Sequence, residues 1–252
     1  GEYLFFIDAD CSPAPGALQL AAESLRRTPQ LDALFGSYDA APSAPGLVSR
    51  FKNLQHHYVH HTSAREASTF WAGCGVIRRS VFQDLGGFDT ERYPRPSIED
   101  IELGYRVGEA GGKIRLMPEV QVTHHKAWTL AAVLRTDLID RGIPWTRLLR
   151  ERGRQGRDLN LDFKARASVV LALLMVAGLL LGVFWPRWLG LLVAAGLVLT
   201  LLNLGFYRFL SSRGGMPLLL GGMGLHWLYQ LNCALAYGLG SLTSGRSRPR
   251  PS

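Results

Sequence analysis

Acidic residues stop at Asp162. Beyond it the chain carries 8 Lys+Arg and no Asp or Glu, whereas the residues up to Asp162 carry 20 of each sign, so the whole formal charge of +8 belongs to the last third. That asymmetry argues against a nucleic-acid surface. Isolated basic residues flanking apolar runs belong at a lipid interface instead. Cysteine is scarce as well: Cys11, Cys74 and Cys233 are few, odd in number and far apart. This excludes a disulfide framework and a Cys-rich zinc site, and it places the soluble part in a reducing compartment. No internal repeat is visible. Neither an initiator Met nor a signal sequence precedes the first strand-like run, Tyr3 to Ile7. That apolar run predicts a strand buried on both faces. A central strand at a terminus is unusual, so the sequence reads as a fragment lacking its amino-terminal portion.

What is present is a chain of 252 residues with 47% hydrophobic content, enough for one large domain or two smaller ones. After Tyr3–Ile7 comes Asp8-Ala9-Asp10-Cys11-Ser12-Pro13, then a helix from about Pro15 to Arg27 with Leu18, Ala21, Ala22 and Leu25 as its inner stripe. Leu31 to Tyr38 predicts a second strand, and strand, helix, strand implies a parallel α/β layer. Residues 48–67 read as helix and carry His56-His57-Tyr58-Val59-His60-His61. Phe70 to Ile77 predicts a strand in which Gly73 and Gly75 mark a close approach of backbone or ligand. A short helix over 80–85 ends in Gly86-Gly87. Lys113 to Met117 and Val120 to His124 predict two short strands, and Leu130 to Arg141 a further helix.

From Ala167 the character changes. Ser168 to Phe184 and Trp188 to Tyr207 are apolar runs about long enough to span a bilayer, with Trp185 and Trp188 as interfacial anchors. Pro217 to Leu239 is a third, softer run containing His226, Gln230 and Asn232. The Arg-rich stretch from Arg141 to Arg166 precedes the first span, which by the positive-inside rule places the soluble domain in the cytoplasm. Arg208 and Arg213 agree with a return to that side. Arg246, Arg248 and Arg250 disagree if the third run also crosses. The Trp-bearing segment from Ile143 to Arg154 suits a membrane surface.

Two stretches carry chemistry. In Ser97-Ile98-Glu99-Asp100-Ile101-Glu102-Leu103-Gly104-Tyr105-Arg106, Ser97 is the expected N-cap. Glu99, Glu102, Arg106 and Glu109 fall within about an 80° stripe, the expected solvated face, while Asp100 lies roughly 140° from its middle, where an amphipathic helix turns inward. An inward acid at a helix start is either half of a capping box with Ser97 or a general base aimed into a cleft. The second stretch is Asp8-Ala9-Asp10 at the carboxyl end of a strand, where ligands bind in open α/β sheets. Two such acids either share a divalent cation and its phosphate ligand or form an Asx turn that leads into the next helix. His124 ends a strand, where an imidazole satisfied by backbone is the plain account, and His125 points to the opposite face. His56/His60 and His57/His61 have the i, i+4 spacing of a metal pair on a helix but lack an accompanying acid, so a polar helix face is the favoured account.

Phe5-Phe6-Ile7-Asp8-Ala9-Asp10, Phe70-Trp71-Ala72-Gly73-Cys74-Gly75-Val76-Ile77-Arg78-Arg79, Leu85-Gly86-Gly87-Phe88-Asp89 and Glu99-Asp100 through Arg106 together resemble the family 2 glycosyltransferases of the GT-A fold, in order and spacing, over about residues 1–130. The resemblance implies an α/β, Rossmann-like catalytic domain missing its first strands and followed by transmembrane helices. It implies metal-dependent, inverting glycosyl transfer from a nucleotide sugar to a membrane-associated acceptor, a lipid or a cell-envelope glycan. On it, Asp8 and Asp10 bind Mg²⁺ or Mn²⁺ and the donor diphosphate, with His124 as a further ligand. Trp71, Gly73, Cys74, Gly75 and Glu99 line the acceptor side, and Asp100 is the base. Membrane-bound members carry a Gln-x-x-Arg-Trp motif after the catalytic domain. Here Asp140-Arg141-Gly142-Ile143-Pro144-Trp145 keeps Arg141 and Trp145 as acceptor contacts but departs in spacing, which favours single over processive transfer. The uridine-binding acid of the family's early strands is missing, so the fragment alone is expected to be inactive.

The expected organisation is therefore a catalytic domain over 1–141, an interfacial segment over 142–166, two or three membrane helices within 167–240 and a basic tail over 241–252. The expected location is the inner membrane, multi-pass, with the catalytic domain cytoplasmic and no nucleic-acid partner. The rival from another class is a non-catalytic membrane scaffold with a degenerate transferase domain.

Overall fold

The apolar runs of the first half come together as one mixed sheet in a computed structural model that describes residues 1–153 and 159–244. Its strands are β1 (Tyr3–Ile7), β2 (Cys11–Pro13), β3 (Ala33–Tyr38), β4 (Glu66–Ala67), β5 (Cys74–Arg78) and β6 (Ile114–His124), in the order β1-β5-β3-β6-β2, with β4 also on β6. The chain divides into two units, Gly1–Thr129 and from Leu130 onward. The sheet is the centre of the first.

The expected parallel layer is present with one strand inserted. β1 and β3 both run antiparallel to β5, so they are parallel to each other with β5 between them. This places β1 at the end of the sheet, not at its centre. Its residues are only half-buried and Ile7 is 39% exposed, so burial on both faces is not found. Helix α1 (Ala17–Arg27) crosses between them and packs Ala17, Ala21 and Leu25 against Leu34, Tyr38, Val76, Val120 and Val122. It opens at Gly16, whose φ of 80° suits glycine, and this phase turns Leu18 outward at 53% exposure where an inward residue was expected.

The last strand is continuous where two were expected. β3 and β6 pair in parallel, yet the register jumps from Phe35↔Leu116 to Ser37↔Gln121, so β6 bulges around Pro118, which has no N–H for the ladder. The bulge drives the Val120 carbonyl against Gly36, where a Cβ would lie 1.9 Å from its oxygen. Helix α2 (Leu47–Thr62) stops short of the expected Ala67, because Glu66 and Ala67 pair with β6 as β4. The strand expected from Phe70 begins only at Cys74, which leaves Phe70 to Gly73 as a turn-bearing segment. The short helix α3 (Arg79–Asp84) follows β5 directly.

Helix α4 (Glu99–Glu109) departs most from the expected amphipathic pattern. Its N-cap is Ile98, fully buried and without a side-chain cap of its own, one residue past the expected Ser97. The Ser97 N–H donates to Glu99 Oε2 at 2.7 Å. Glu102, expected on the solvated face, is 4% exposed and pairs with Arg106 at 2.8 Å. Arg106 in turn donates to the carbonyls of Leu85 and Gly87 at 2.5 and 2.6 Å. The charged stripe therefore fastens the helix to the Leu85-Gly86-Gly87 turn. Gly104 lets α4 touch main chain: a Cβ there would lie 2.3 Å from the Phe70 nitrogen and 2.6 Å from the Thr69 carbonyl carbon.

The second unit holds α5 (Leu130–Arg135), a π-helical turn (Thr136–Gly142), α6 (Ile143–Glu151), α7 (Phe163–Phe184), α8 (Leu189–Leu202) and α9 (Leu204–Thr243). Small residues four apart let these helices meet closely. Gly178 and Gly182 of α7 face Leu192 and Leu189 of α8, while Gly142 and Thr146 face Ala236 and Gly240 of α9. With 22 residues, α7 is about 33 Å long and can cross a bilayer core. α8 has only 14, about 21 Å, so the expected span from Trp188 to Tyr207 is not one helix. It breaks at Asn203 with a 71° bend. There the Asn203 amide donates to Leu199 O and to Ser168 Oγ of α7 at 3.0 and 2.9 Å. α9 breaks again at Gly214 and Gly215, just before Pro217. Among the described residues one helix is long and apolar enough to cross a membrane, or two if each bent pair is one span. Residues 154–158 of the interfacial segment and the basic tail with Arg246, Arg248 and Arg250 lie outside the described residues.

Two glycines on α4 should respond oppositely to a methyl group. Gly104→Ala should destabilise the first unit by about 1–3 kcal/mol, because the Thr69–Phe70 backbone must retreat. Gly108→Ala, which meets nothing within 4 Å, should be neutral or stabilise by up to about 1 kcal/mol through helix propensity. Thermal melting of both variants checks this; equal shifts would contradict the close approach.

Candidate active site

The first acid arrives on β1. Asp8 follows Ile7 directly, its N–H donates to Gly73 O at 3.3 Å, and its carbonyl accepts the Cys11 N–H at 2.9 Å, which closes a turn over Asp8 to Cys11. The turn leads into β2, which pairs antiparallel with the end of β6 so that Cys11 stands opposite His124. The His125 N–H donates to Asp10 O at 2.8 Å and ties the second acid to the same strand end. Residues directly opposite in an antiparallel pair share a face. Cys11 and His124 accordingly point together, beside Asp10.

One donor atom from each of Asp10, Cys11 and His124 lies within 4.8 Å of the other two, the only such group of three His, Cys, Asp or Glu side chains among the described residues. His124 Nε2 is 3.6 Å from Asp10 Oδ2, and Cys11 Sγ donates to Asp10 Oδ1 at 3.9 Å. The His124 ring is buried and stacks on Tyr38, 4.3 Å between centroids and 8° from parallel. Cys11 was not among the expected site residues. Its position directly after the Asp8-Ala9-Asp10 stretch was legible, but its pairing with His124 was not. Asp8 is exposed, and its Oδ2 would lie 2.7 Å from a Cβ at Gly73.

The second acid cluster forms around Phe70 to Gly73. Asp100 Oδ2 accepts the Ala72 N–H at 3.0 Å and Oδ1 accepts the Ile101 N–H at 2.8 Å. The inward placement expected for Asp100 is present, and its target is main chain one residue from Gly73. Gly104, one turn further along α4, makes this possible by admitting the Thr69–Phe70 backbone. Its signal in the sequence was a glycine at i+4 from the inward acid. A methyl group at Gly73 would fall 2.4 Å from the Trp71 ring, and one at Gly75 2.4 Å from the Phe70 ring, so both glycines mark close approaches as expected.

Trp71 is half-buried, set 5.0 Å from Tyr38 and 4.5 Å from His56 by ring centroids. Cys74 and Gly75 face the core instead of a surface, and Cys74 has no exposure at all, with Sγ donating to Val120 O. Both are buried at the start of β5, directly after Trp71 and Gly73 in the chain. Glu99 is half-buried and holds the Ser97 N–H.

The helical histidines are taken up by the fold. His57 and His60 are buried, and their Nδ1–H groups donate to Tyr38 O and Gly36 O at 2.8 and 2.9 Å. His125 is exposed and lies between Ser12 and Ser43 hydroxyls at 2.8 and 3.0 Å. Arg141 and Trp145 belong to the second unit, on the π-helical turn and on α6.

Comparison with known proteins gives a family. The model of glycosyl transferase family group 2 matches residues 3–240. Over 65 residues the chain is 43% identical to the N-acetylglucosaminyl-diphospho-decaprenol L-rhamnosyltransferase of Mycobacterium tuberculosis, covering 26% of this chain and 20% of that protein. Over 127 residues it is 26% identical to the probable glucomannan 4-beta-mannosyltransferase 3 of Oryza sativa, covering 48% of this chain and 22% of that one. The O-antigen biosynthesis protein RfbC of Myxococcus xanthus is 31% identical over 88 residues, or 35% of this chain and 6% of its own length. The chain thus spans about a fifth of the length of the first two of these relatives.

The thiols give a pH dependence. Burial first, then Asp8 and Asp10, push the Cys11 thiol from 9.0 up to about 12, and burial, with a smaller contribution from Asp8, does the same to Cys74. Unfolded chains release these protons near pH 9 and the folded protein holds them to about 12, so the stability they contribute is present below pH 9 and is lost as pH rises through that window. The denaturant midpoint should fall between about pH 8 and pH 10.5. Cys74→Ala should make that fall shallower; an unchanged slope would remove Cys74 from the account.

Proposed function

The chain belongs to glycosyl transferase family group 2, and from that premise we propose that it transfers a glycosyl group from a nucleotide sugar to a membrane-associated acceptor, inverting the anomeric carbon. The observation that carries the proposal is Asp100, an acid turned inward at a helix start and held on the Ala72 N–H beside Trp71 and Gly73.

Asp100 removes the proton of the acceptor hydroxyl as that oxygen attacks the anomeric carbon. The two N–H groups on its carboxylate and the helix N-terminus behind it favour the ionised form and fix its direction. Trp71 offers a half-buried ring face for a sugar, and Glu99 borders the same side. Asp8 and Asp10 face the donor diphosphate. A carboxylate and an imidazole at 3.6 Å are a donor set that fits a divalent cation, Mn²⁺ better than Mg²⁺ because of the nitrogen. Asp10 and His124, with Asp8 nearby, would hold it. Such an ion supplies charge neutralisation on the departing nucleoside diphosphate. Arg141 and Trp145 are assigned to the acceptor at the membrane surface.

The acceptor class is a lipid-linked or cell-envelope glycan. The printed name of the mycobacterial relative, with its decaprenol diphosphate, supports a lipid carrier. The location is the inner membrane with the catalytic domain cytoplasmic, which is supported by α7 and by the Arg-rich residues ahead of it.

Asp100→Asn in the full-length protein should lower turnover by roughly 10²- to 10⁴-fold while donor affinity and melting temperature stay near wild type. Turnover, donor binding and melting on one preparation check it; normal turnover would leave the non-catalytic scaffold reading ahead. For topology, a reporter fused after Arg213, where α9 breaks, should read cytoplasmic. A signal from the opposite side would overturn the charge argument.

A further inference from the structure

The two strands that end at the Asp10 turn bring a sulfur where a hard-cation site would have oxygen. We propose that Cys11 is a third metal donor, and that Asp10, Cys11 and His124 together take a borderline dication, Co²⁺ or Zn²⁺, in preference to Mg²⁺. This rests on the cation reading above and goes beyond it in naming the ligand and the class of ion.

Three independent features of the fold converge on it. Cys11 and His124 are directly opposed in the β2–β6 ladder, so main-chain hydrogen bonding, not a flexible side chain, sets their shared face. Asp10 is anchored to the same strand end through the His125 N–H, which brings its two oxygens to 3.6 Å from the imidazole and 3.9 Å from the sulfur. Tyr38 stacked on His124 restricts the ring to the orientation that presents Nε2 to Asp10. Carboxylate, thiolate and imidazole at one point form an O, S, N set. Thiolate and imidazole select Zn²⁺ and its neighbours, whereas Mg²⁺ asks for oxygen throughout and keeps its waters. The three donors leave positions open for substrate oxygens, as a catalytic site requires. On binding, the Cys11 S–H bond breaks, an S–metal bond forms and the proton passes to bulk water, with no change of oxidation state.

The test is spectroscopic and needs no turnover. Co²⁺ titrated into the full-length protein should give thiolate-to-metal charge-transfer absorption in the near ultraviolet that saturates at one ion per chain. Zn²⁺ should abolish the band, and a large excess of Mg²⁺ should not. Cys11→Ser should remove the band and weaken Zn²⁺ binding by at least the ~10-fold that losing an outlying hydrogen-bond partner of a ligand already produces, while Mn²⁺ binding, read from the loss of the free-ion magnetic resonance signal, changes little. Asp10→Asn should weaken both ions. A band that survives in Cys11→Ser comes from Cys74 or Cys233 and overturns the assignment. Mn²⁺ binding to wild type without a Co²⁺ thiolate band overturns this inference alone. Silence of wild type towards Mn²⁺, Co²⁺ and Zn²⁺ overturns the cation reading on which it stands.

Discussion

A single close contact organises the first unit of this protein: helix α4 lies on the main chain of Thr69 and Phe70, with nothing larger than a hydrogen at Gly104 between them. Main chain that close to a helix exposes its next N–H to the residue one turn earlier. That residue is Asp100, and the N–H is Ala72. The same segment then folds Trp71 over Gly73 and presents Gly73 to Asp8, so one backbone stretch serves both carboxylates. The Glu102–Arg106 pair, with Arg106 on the Leu85 and Gly87 carbonyls, braces the helix from its other side. Burying Glu102 is tolerable because a guanidinium that cannot deprotonate meets it at 2.8 Å and spends its remaining donors on carbonyls.

The Asp10 and His124 side depends on a different constraint, the irregular end of β6. The bulge around Pro118 shifts the register against β3 and is accommodated only because Gly36 leaves room for the Val120 carbonyl. Beyond the bulge, β6 runs on to receive β2, and its final residue meets Cys11. The position of His124 beside Asp10 thus depends on Gly36, distant from both in sequence, and on Pro118 of the same strand. Tyr38, the last residue of β3, completes the arrangement by stacking on His124 and standing edge-on to Trp71. His57 and His60 of α2 bind the carbonyls of Tyr38 and Gly36 and so hold the strand that carries this contact.

In the second unit, close helix contacts again rest on small residues, Gly178 and Gly182 on α7 and the Gly142, Thr146, Ala236 and Gly240 set around α6 and α9. Where hydrocarbon offers no hydrophobic drive between helices, such contacts and buried polar pairs supply the specificity. The Asn203–Ser168 bond is one such pair, and it sits at the bend that divides the second apolar run.

The sequence by itself determined the class of the fold and singled out three candidate acids. Asp8, Asp10 and Asp100 stood at a strand end and on an inward helix face, and periodicity alone made them conspicuous; the apolar runs after Ala167 needed only their length and the absence of acids. Hydropathy could not say where those runs bend, because the break depends on one amide finding a hydroxyl on another helix. Nor could periodicity separate Glu102 from the solvated residues, since its burial is decided by an arginine one turn away and by two carbonyls of a distant turn. Tertiary structure alone decided that β5 inserts between β1 and β3, that Cys74 is buried instead of lining the site, and that Cys11 faces His124. Each of these depends on pairing across 40 or more positions of chain, where a local pattern carries no register. Register is set only when the strands, the bulge and the glycine that admits it are all in place.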